Sequence, residues 1–340
     1  MKARLYTATE DGSKEVVCHL CHHRCHIAPR HLGICGARRN DDGELVSLVY
    51  GRAVSLNPDP IEKKPLFHFL PGTHSMSTGT PGCNFTCAFC QNNDISQFLR
   101  EFPGRIPMGW TKPDEIVQAA LNAGCASMSF TYTEPTIFYE YAEDTGRLGL
   151  EKHLPSCFVS NGFMTPETVD AMKDWVRAIN VDLKCFNADT YRKVMGGTLD
   201  GVLETLVRLH HSGIWLEITT LVVPGMNDSD DELCAIAEFI AKLDPCIPWH
   251  VSRFFPHYKM RAQVPTVLST IQRAIQIGEE AGLKFVYCGN VLDGKYESTW
   301  CMDCGALLIR RSGFTVLDMP MLAGGACPDC GKKCPGVWSI

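Results

Sequence analysis

The chain has 340 residues, 45% of them hydrophobic and 21% charged, with a formal net charge of −6. This composition can bury a sizeable core in one large domain with small appendages. Mild acidity argues against nucleic acid as the main partner, and no segment approaches the roughly 18 consecutive apolar residues of a membrane span. Residues 1–10 lack the apolar core of a signal peptide, so a cytoplasmic location is expected.

Residues 1–72 read as an irregular Cys- and His-rich cap. Cys18, Cys21, Cys25 and Cys35 follow a C-x2-C-x3-C-x9-C pattern, with His19, His22, His23, His26 and His31 among them. In a large chain without an export signal, clustered thiols point to metal rather than to disulfides. Zinc and a second [4Fe–4S] cluster both satisfy this spacing. The segment precedes the core and is expected to cover its mouth, shielding a reactive site or meeting a partner protein.

Residues 73–289 read as the core. Short apolar runs at 75–79, 127–131, 156–160, 178–183, 216–223, 250–255 and 284–288 fit buried parallel strands. Between them, 112–122, 230–242 and 266–281 repeat apolar residues at helical period. Thr111 with Pro113, and Thr165-Pro166-Glu167, are helix-start signals. Six or seven βα units make a closed or partly closed β/α barrel, with chemistry at the C-terminal ends of the strands.

After the first of these strands comes Gly79-Thr80-Pro81-Gly82-Cys83-Asn84-Phe85-Thr86-Cys87-Ala88-Phe89-Cys90-Gln91-Asn92. Three thiolates spaced C-x3-C-x2-C can ligate three irons of a [4Fe–4S] cubane, leaving the fourth open to chelate a small molecule. Phe85 and Phe89 are placed to exclude water from it.

Residues 290–340 carry Cys301-x2-Cys304 and Cys327-x2-Cys330, separated by 22 residues. Two such knuckles read as a zinc ribbon with four thiolates, an auxiliary cluster being the competing reading. Cys334 is a fifth, spare thiol. The scattered cysteines, Cys185 included, read as small buried hydrophobes. Lys63, Lys64, Arg253, His257 and Tyr258 are candidates for the substrate side.

The C-x3-C-x2-C run, with an aromatic before its last cysteine, resembles the signature of radical S-adenosylmethionine (SAM) enzymes. Those enzymes form a partial (β/α)6 TIM-type barrel. The ordered motifs Glu62-Lys63-Lys64-Pro65, Tyr132-Thr133-Glu134-Pro135, Asn161-Gly162, Asp182-Leu183-Lys184, Val223-Pro224-Gly225-Met226-Asn227-Asp228 and Tyr287-Cys288-Gly289-Asn290 are similar to the AmmeMemoRadiSam subgroup and, more distantly, to pyruvate formate-lyase activating enzymes. The resemblance implies that Glu134 meets the SAM amino group. It implies that Thr133, Asn161, Asp182, Lys184 and His250 line the SAM site, with Asp182 and Lys184 closest to the chemistry. Where the activating enzymes have two glycines before the glutamate, this chain has Tyr132-Thr133. Their strand-five arginine is replaced by Thr219, with Glu217 nearby.

The implied activity is reductive cleavage of SAM to a 5′-deoxyadenosyl radical that abstracts hydrogen from a protein, peptide or small molecule. A flavodoxin or ferredoxin would supply the electron. Memo-like or AMMECR-like proteins are the partners the subgroup implies. The rivals are an activase that installs a glycyl radical on a partner enzyme, and a non-enzymatic iron–sulfur and zinc module.

Overall fold

The N-terminal region is built from short strands in the computed structural model, which describes residues 1–291 and 293–339. Strands β1 (Tyr6–Ala8), β2 (Val16–Cys18) and β3 (His26–Ile27) form a small antiparallel sheet, and β4 (Arg38–Asp41) pairs with β5 (Glu44–Ser47). The central sheet has eight strands: β6 (Ser55–Pro60), β7 (His74–Gly79), β8 (Ser127–Phe130), β9 (Ser156–Ser160), β10 (Val176–Asp182), β11 (Trp215–Val222), β12 (Trp249–Arg253) and β13 (Val286–Gly289). They lie side by side in chain order, and β7 to β13 are parallel. This is the partial β/α barrel that the apolar runs predict.

Strand β6 runs antiparallel to β7, with Ser55 opposite Gly79 and Pro60 opposite His74. Its Pro58 and Pro60 are tolerated because it is an edge strand. The inner strands are covered on both faces, so even the Ser-Met-Ser-Phe of β8 is wholly buried.

Helices cover the outside. Pro113–Asn122 buries Ile116, Val117 and Ala120; Asp230–Leu243 buries Leu233, Ile236, Ala237 and Ile240. Thr165 and Ser229 accept from backbone N–H groups at their helix starts, satisfying donors that have no partner within the helix. The helix after Pro113 is begun instead by Glu115, whose carboxylate accepts from Lys112 N at 2.7 Å. Helix Tyr139–Leu150 carries glycines where a side chain would collide. A Cβ on Gly146 would lie 2.5 Å from the Trp175 ring, and one on Gly149 would lie 2.0 Å from Met128 Cε and 2.9 Å from the Leu154 carbonyl.

The N-terminal segment docks on this helix. Arg38, buried, pairs with Glu140, and Arg4 reaches Glu143 and Asp144. Arg24 forms a two-pronged pair with Glu167, and Thr165 donates to the His19 carbonyl. At the other end, β14 (Thr299–Trp300), β15 (Leu307–Ser312) and β16 (Thr315–Asp318) form an antiparallel sheet. The chain then returns so that Val337 bridges Phe69. Arg311, buried in β15, donates to Thr299 Oγ1 and the Phe67 carbonyl.

Gly149→Ala is expected to lower stability by about 1–3 kcal/mol through overpacking, read as a fall in the thermal midpoint. An unchanged midpoint would mean that Met128 and the Leu154 carbonyl yield without cost.

Candidate functional site

A cavity of about 730 Å³ opens beside the C-terminal ends of the barrel strands. One wall is the loop after β7, which threads through places with no room for side chains. A Cβ on Gly79 would lie 2.5 Å from the Thr131 carbonyl; one on Gly82, whose φ is +101°, would meet Leu99, Ile137 and the Cys35 carbonyl. Phe85 is buried against Phe163, and Thr86 N donates to the Met195 carbonyl. Gln97 and Arg100 both donate to the Phe85 carbonyl. So anchored, the loop brings Cys83, Cys87 and Cys90 to the cavity wall, with Phe89 beside them.

Burial pushes the Cys87 thiol up to about 11, against the pull of the Lys184 ammonium, and likewise raises Cys83 well above the ordinary thiol value. The three sulfurs do not close onto one point. Among the described residues, only Cys301, Cys304, Cys327 and Cys330 bring three or more such ligand atoms all within 4.8 Å of one another. Three thiols on one wall that do not all lie within 4.8 Å of one another fit a bulky iron–sulfur group better than a single ion.

Glu134, Thr133, Asn161, Asp182, Lys184 and His250 all line this same cavity. The Glu134 carboxylate is heavily committed. Its Oε1 accepts from Thr136 N (3.1 Å), Thr136 Oγ1 (2.6 Å) and Ser160 Oγ (2.8 Å), while Oε2 accepts only from Asn161 N at 2.8 Å. It thereby ties the turn after β8 to the turn after β9. Burial raises its pKa, against the lowering effect of these bonds. Asn161 Nδ2 donates to Asn84 Oδ1 at 2.7 Å, locking the β9 turn to the cysteine loop. Thr133 Oγ1 donates to the Thr80 carbonyl.

Tyr132 adopts φ +68°, the left-handed conformation that glycine supplies without strain; a tyrosine there costs about 1–2 kcal/mol. Its hydroxyl donates to Asp59 at 2.6 Å, and the Lys64 ammonium lies 4.9 Å from its ring centroid. Asp59 also accepts from Lys63 and Lys64. This left-handed turn is thus held by a side chain anchored from outside, with Asp59 as an anchor that no motif marks.

Lys184 Nζ donates to Asp182 Oδ2 at 2.8 Å. Burial disfavours its charge, but the neighbouring carboxylate prevails and holds its pKa above the ordinary lysine value. Thr219 Oγ1 is buried at the cavity without a hydrogen-bond partner in the protein. His250 Nε2 meets Glu217 Oε2 at 2.7 Å, so this histidine is held in a buried pair. Lys63 and Lys64 reach the cavity wall, whereas Arg253, His257 and Tyr258 lie outside it; Arg253 Nε donates to the Thr266 carbonyl. Cys185 is fully buried.

The flanking thiols form two further groups. Cys301 and Cys330 lie 3.6 Å apart, as do Cys304 and Cys327, the contact spacing of thiolates around one tetrahedral ion. This set could hold a metal. Cys334 stays apart, buried with its sulfur 3.8 Å from His68 Nδ1. Cys18, Cys21, Cys25 and Cys35 surround a second, small hollow behind the cysteine loop, and among the described residues none before Glu62 lines the main cavity. The expected cap over the mouth is therefore a buttress on the outer side of the loops, because its cations find their partners on helix Tyr139–Leu150 and at Glu167.

Glu134→Gln puts an amide NH2 among N–H and O–H donors. We expect a loss of about 1–3 kcal/mol, read as a lower thermal midpoint; an unchanged midpoint would show that the carboxylate does not hold the two turns together.

Residues 77–239 match the family described as the radical SAM superfamily. Over 334 residues, 98% of each chain, the protein is 41% identical to the uncharacterized protein MJ0808 of Methanocaldococcus jannaschii. It is 22% identical over 222 residues to the pyruvate formate-lyase 1-activating enzyme of Escherichia coli K12, covering 61% of this chain and 89% of that enzyme. With the benzylsuccinate synthase activating enzyme of Thauera aromatica it shares 30% identity over 144 residues, 38% of this chain and 41% of that one. Streptococcus suis SuiB bound to S-adenosylmethionine shares the fold, with a TM-score of 0.50 and 13% identity over 68% of this chain and 53% of that chain. No helix among the described residues is long and apolar enough to cross a membrane. The chain carries a radical SAM domain at residues 77–239, with distant similarity to pyruvate formate-lyase activating enzyme.

Proposed function

We propose that this chain is a radical SAM enzyme whose [4Fe–4S] cluster is held by Cys83, Cys87 and Cys90. The observation that carries this reading is three thiols, not all within 4.8 Å of one another, on one wall of a cavity that also presents Glu134, Asp182 and Lys184. When bound, the cluster and SAM supply a 5′-deoxyadenosyl radical able to abstract hydrogen from a substrate.

The protein's own residues bind and orient. Lys184, kept charged beside Asp182, supplies a cation for the SAM carboxylate next to Cys87. Asp182, its side chain about one-third exposed, accepts from ligand hydroxyls. Glu134 Oε2 has one donor, which leaves a lone pair for the SAM ammonium. Asn161 and Thr133 hold the two turns in register, Thr219 Oγ1 offers an unused polar group, and His250 forms a fixed wall for the adenosine. Phe85 and Phe89 keep water from the thiolates. Cys301, Cys304, Cys327 and Cys330 hold zinc as a structural site.

The reaction draws on a flavodoxin- or ferredoxin-type reductant in the cytoplasm. Within the superfamily we assign the chain to the AmmeMemoRadiSam subgroup, with Memo-like or AMMECR-like partners. Its target is a protein, peptide or small molecule. Glycyl-radical activation is the second reading, favoured by relatives that are activating enzymes; a stable glycyl radical on a co-purified partner, seen by electron paramagnetic resonance, would select it.

The test is 5′-deoxyadenosine formation by anaerobically reconstituted protein with SAM and a strong reductant. Wild type should give product and Cys83→Ala none. Neither product nor a SAM-induced change in the cluster's paramagnetic spectrum would sink the proposal. Lys184→Ala should weaken SAM binding roughly tenfold or more, the loss of a charge-assisted contact worth about 1.5–3 kcal/mol; unchanged binding would remove Lys184 from the site. Zinc removal by a chelator should lower the thermal midpoint, because β14 and β15 carry the residues through which Arg311 is fixed; an unshifted midpoint would refute a structural zinc.

A further inference from the structure

We infer that Cys18, Cys21, Cys25 and Cys35 ligate a second [4Fe–4S] cluster rather than zinc. Three observations converge on this.

The first is the ligand set. All four cysteines line one small hollow together with Leu20, Ile27 and Ile137. The five histidines of the segment are directed elsewhere. His19 bonds Thr7 and Arg24, His26 bonds Glu15, His31 bonds the Pro29 carbonyl, and His22 packs on Phe163. His23 is the one histidine beside the hollow, and its Nε2 is taken by the Asn84 carbonyl at 2.9 Å. The site is thiol-only, which leaves zinc and iron–sulfur as the choices.

The second is spacing. A tetrahedral zinc with bonds of about 2.3 Å holds its sulfurs about 3.8 Å apart. The C-terminal set has that geometry, at 3.6 Å. The N-terminal set does not: no three of its sulfurs lie mutually within 4.8 Å. Its sulfurs do not converge as a single tetrahedral ion requires. A cubane interposes an iron–sulfide core and holds its four thiolates roughly 6 Å apart. The Cys83, Cys87 and Cys90 sulfurs share this open arrangement.

The third is compensation for a buried anion. Arg38, about 1% exposed, sends Nη1 to within 3.6 Å of Cys18 Sγ. A cluster bearing four thiolates is anionic, and hydrogen bonds to its sulfurs tune such a group.

The site abuts the catalytic loop. The Cys35 carbonyl lies 3.3 Å from where a Gly82 Cβ would stand, one residue before Cys83. Thr136, on the wall of the hollow, donates to Glu134 on the wall of the main cavity.

The experiment is iron and zinc analysis with Mössbauer spectroscopy on the full-length, anaerobically reconstituted protein. Wild type should carry about eight irons and about one zinc. The triple variant Cys83→Ala/Cys87→Ala/Cys90→Ala should retain about four irons with a [4Fe–4S] spectrum. Two zincs in wild type, or a folded triple variant without iron, would overturn the inference. Should the triple variant not fold, Cys21→Ser/Cys35→Ser decides, since it must lose the second cluster and leave the zinc unchanged; retention of all the iron would refute the site. Iron that survives the triple variant in a wild type of only about four irons would keep this inference and sink the barrel-site reading instead.

Discussion

A buried carboxylate, Glu217 on β11, ties together parts of the chain far apart in sequence. It accepts from Phe67 N (2.9 Å), His68 N (2.7 Å) and Trp215 Nε1 (3.0 Å), and pairs with His250. Burial alone would raise its pKa; these donors and the histidines hold it below the ordinary carboxylate range. From His68 the network continues in one direction. Burial pushes His68 down to about 4, so it is neutral at pH 7. With Nδ1–H donating to the Pro335 carbonyl, its Nε2 accepts from the Tyr287 hydroxyl. Tyr287 accepts from Thr299, and Thr299 from Arg311. A buried network of this kind is stable only when every member is satisfied, which makes the C-terminal sheet part of the barrel's own polar accounting.

The N-terminal segment is fastened by the same means, with the signs arranged so that its arginines meet acids of the barrel. Arg38–Glu140 is buried, and breaking such a pair costs far more than its net contribution. The thiol groups show how one residue type yields different sites. Spacing along the chain sets how many sulfurs converge; the surrounding fold sets whether they touch, as at Cys301–Cys330, or stand around a hollow.

The parallel strands were legible because buried strands are continuous apolar runs, and all seven expected runs overlap strands within about two residues at either end. Helix Tyr139–Leu150 was not, since Gly146 and Gly149 mimic a loop; their reason is the close approach of Trp175 and Met128, which lie elsewhere in the chain. Strand β6 was hidden by its prolines. At the site, motif order pointed to Asp182 and Lys184, which do meet. Asp59 and Arg311 were not marked as anchors, because beyond their nearby partners they reach Tyr132 and Phe67, 73 and 244 residues away. The burial of His250 against Glu217 likewise depends on register between β11 and β12, where Thr219 stands opposite His250.

The open side of the barrel leaves β6 as a free sheet edge, exposed from Leu56 to Pro58. Pro58 and Pro60 are two residues apart, so their ring nitrogens face the same side of the strand, away from its ladder with β7. That outer edge lacks two of the N–H donors that a second chain would need to extend the sheet. The prolines that obscured the strand in sequence thus protect the protein against edge-to-edge aggregation.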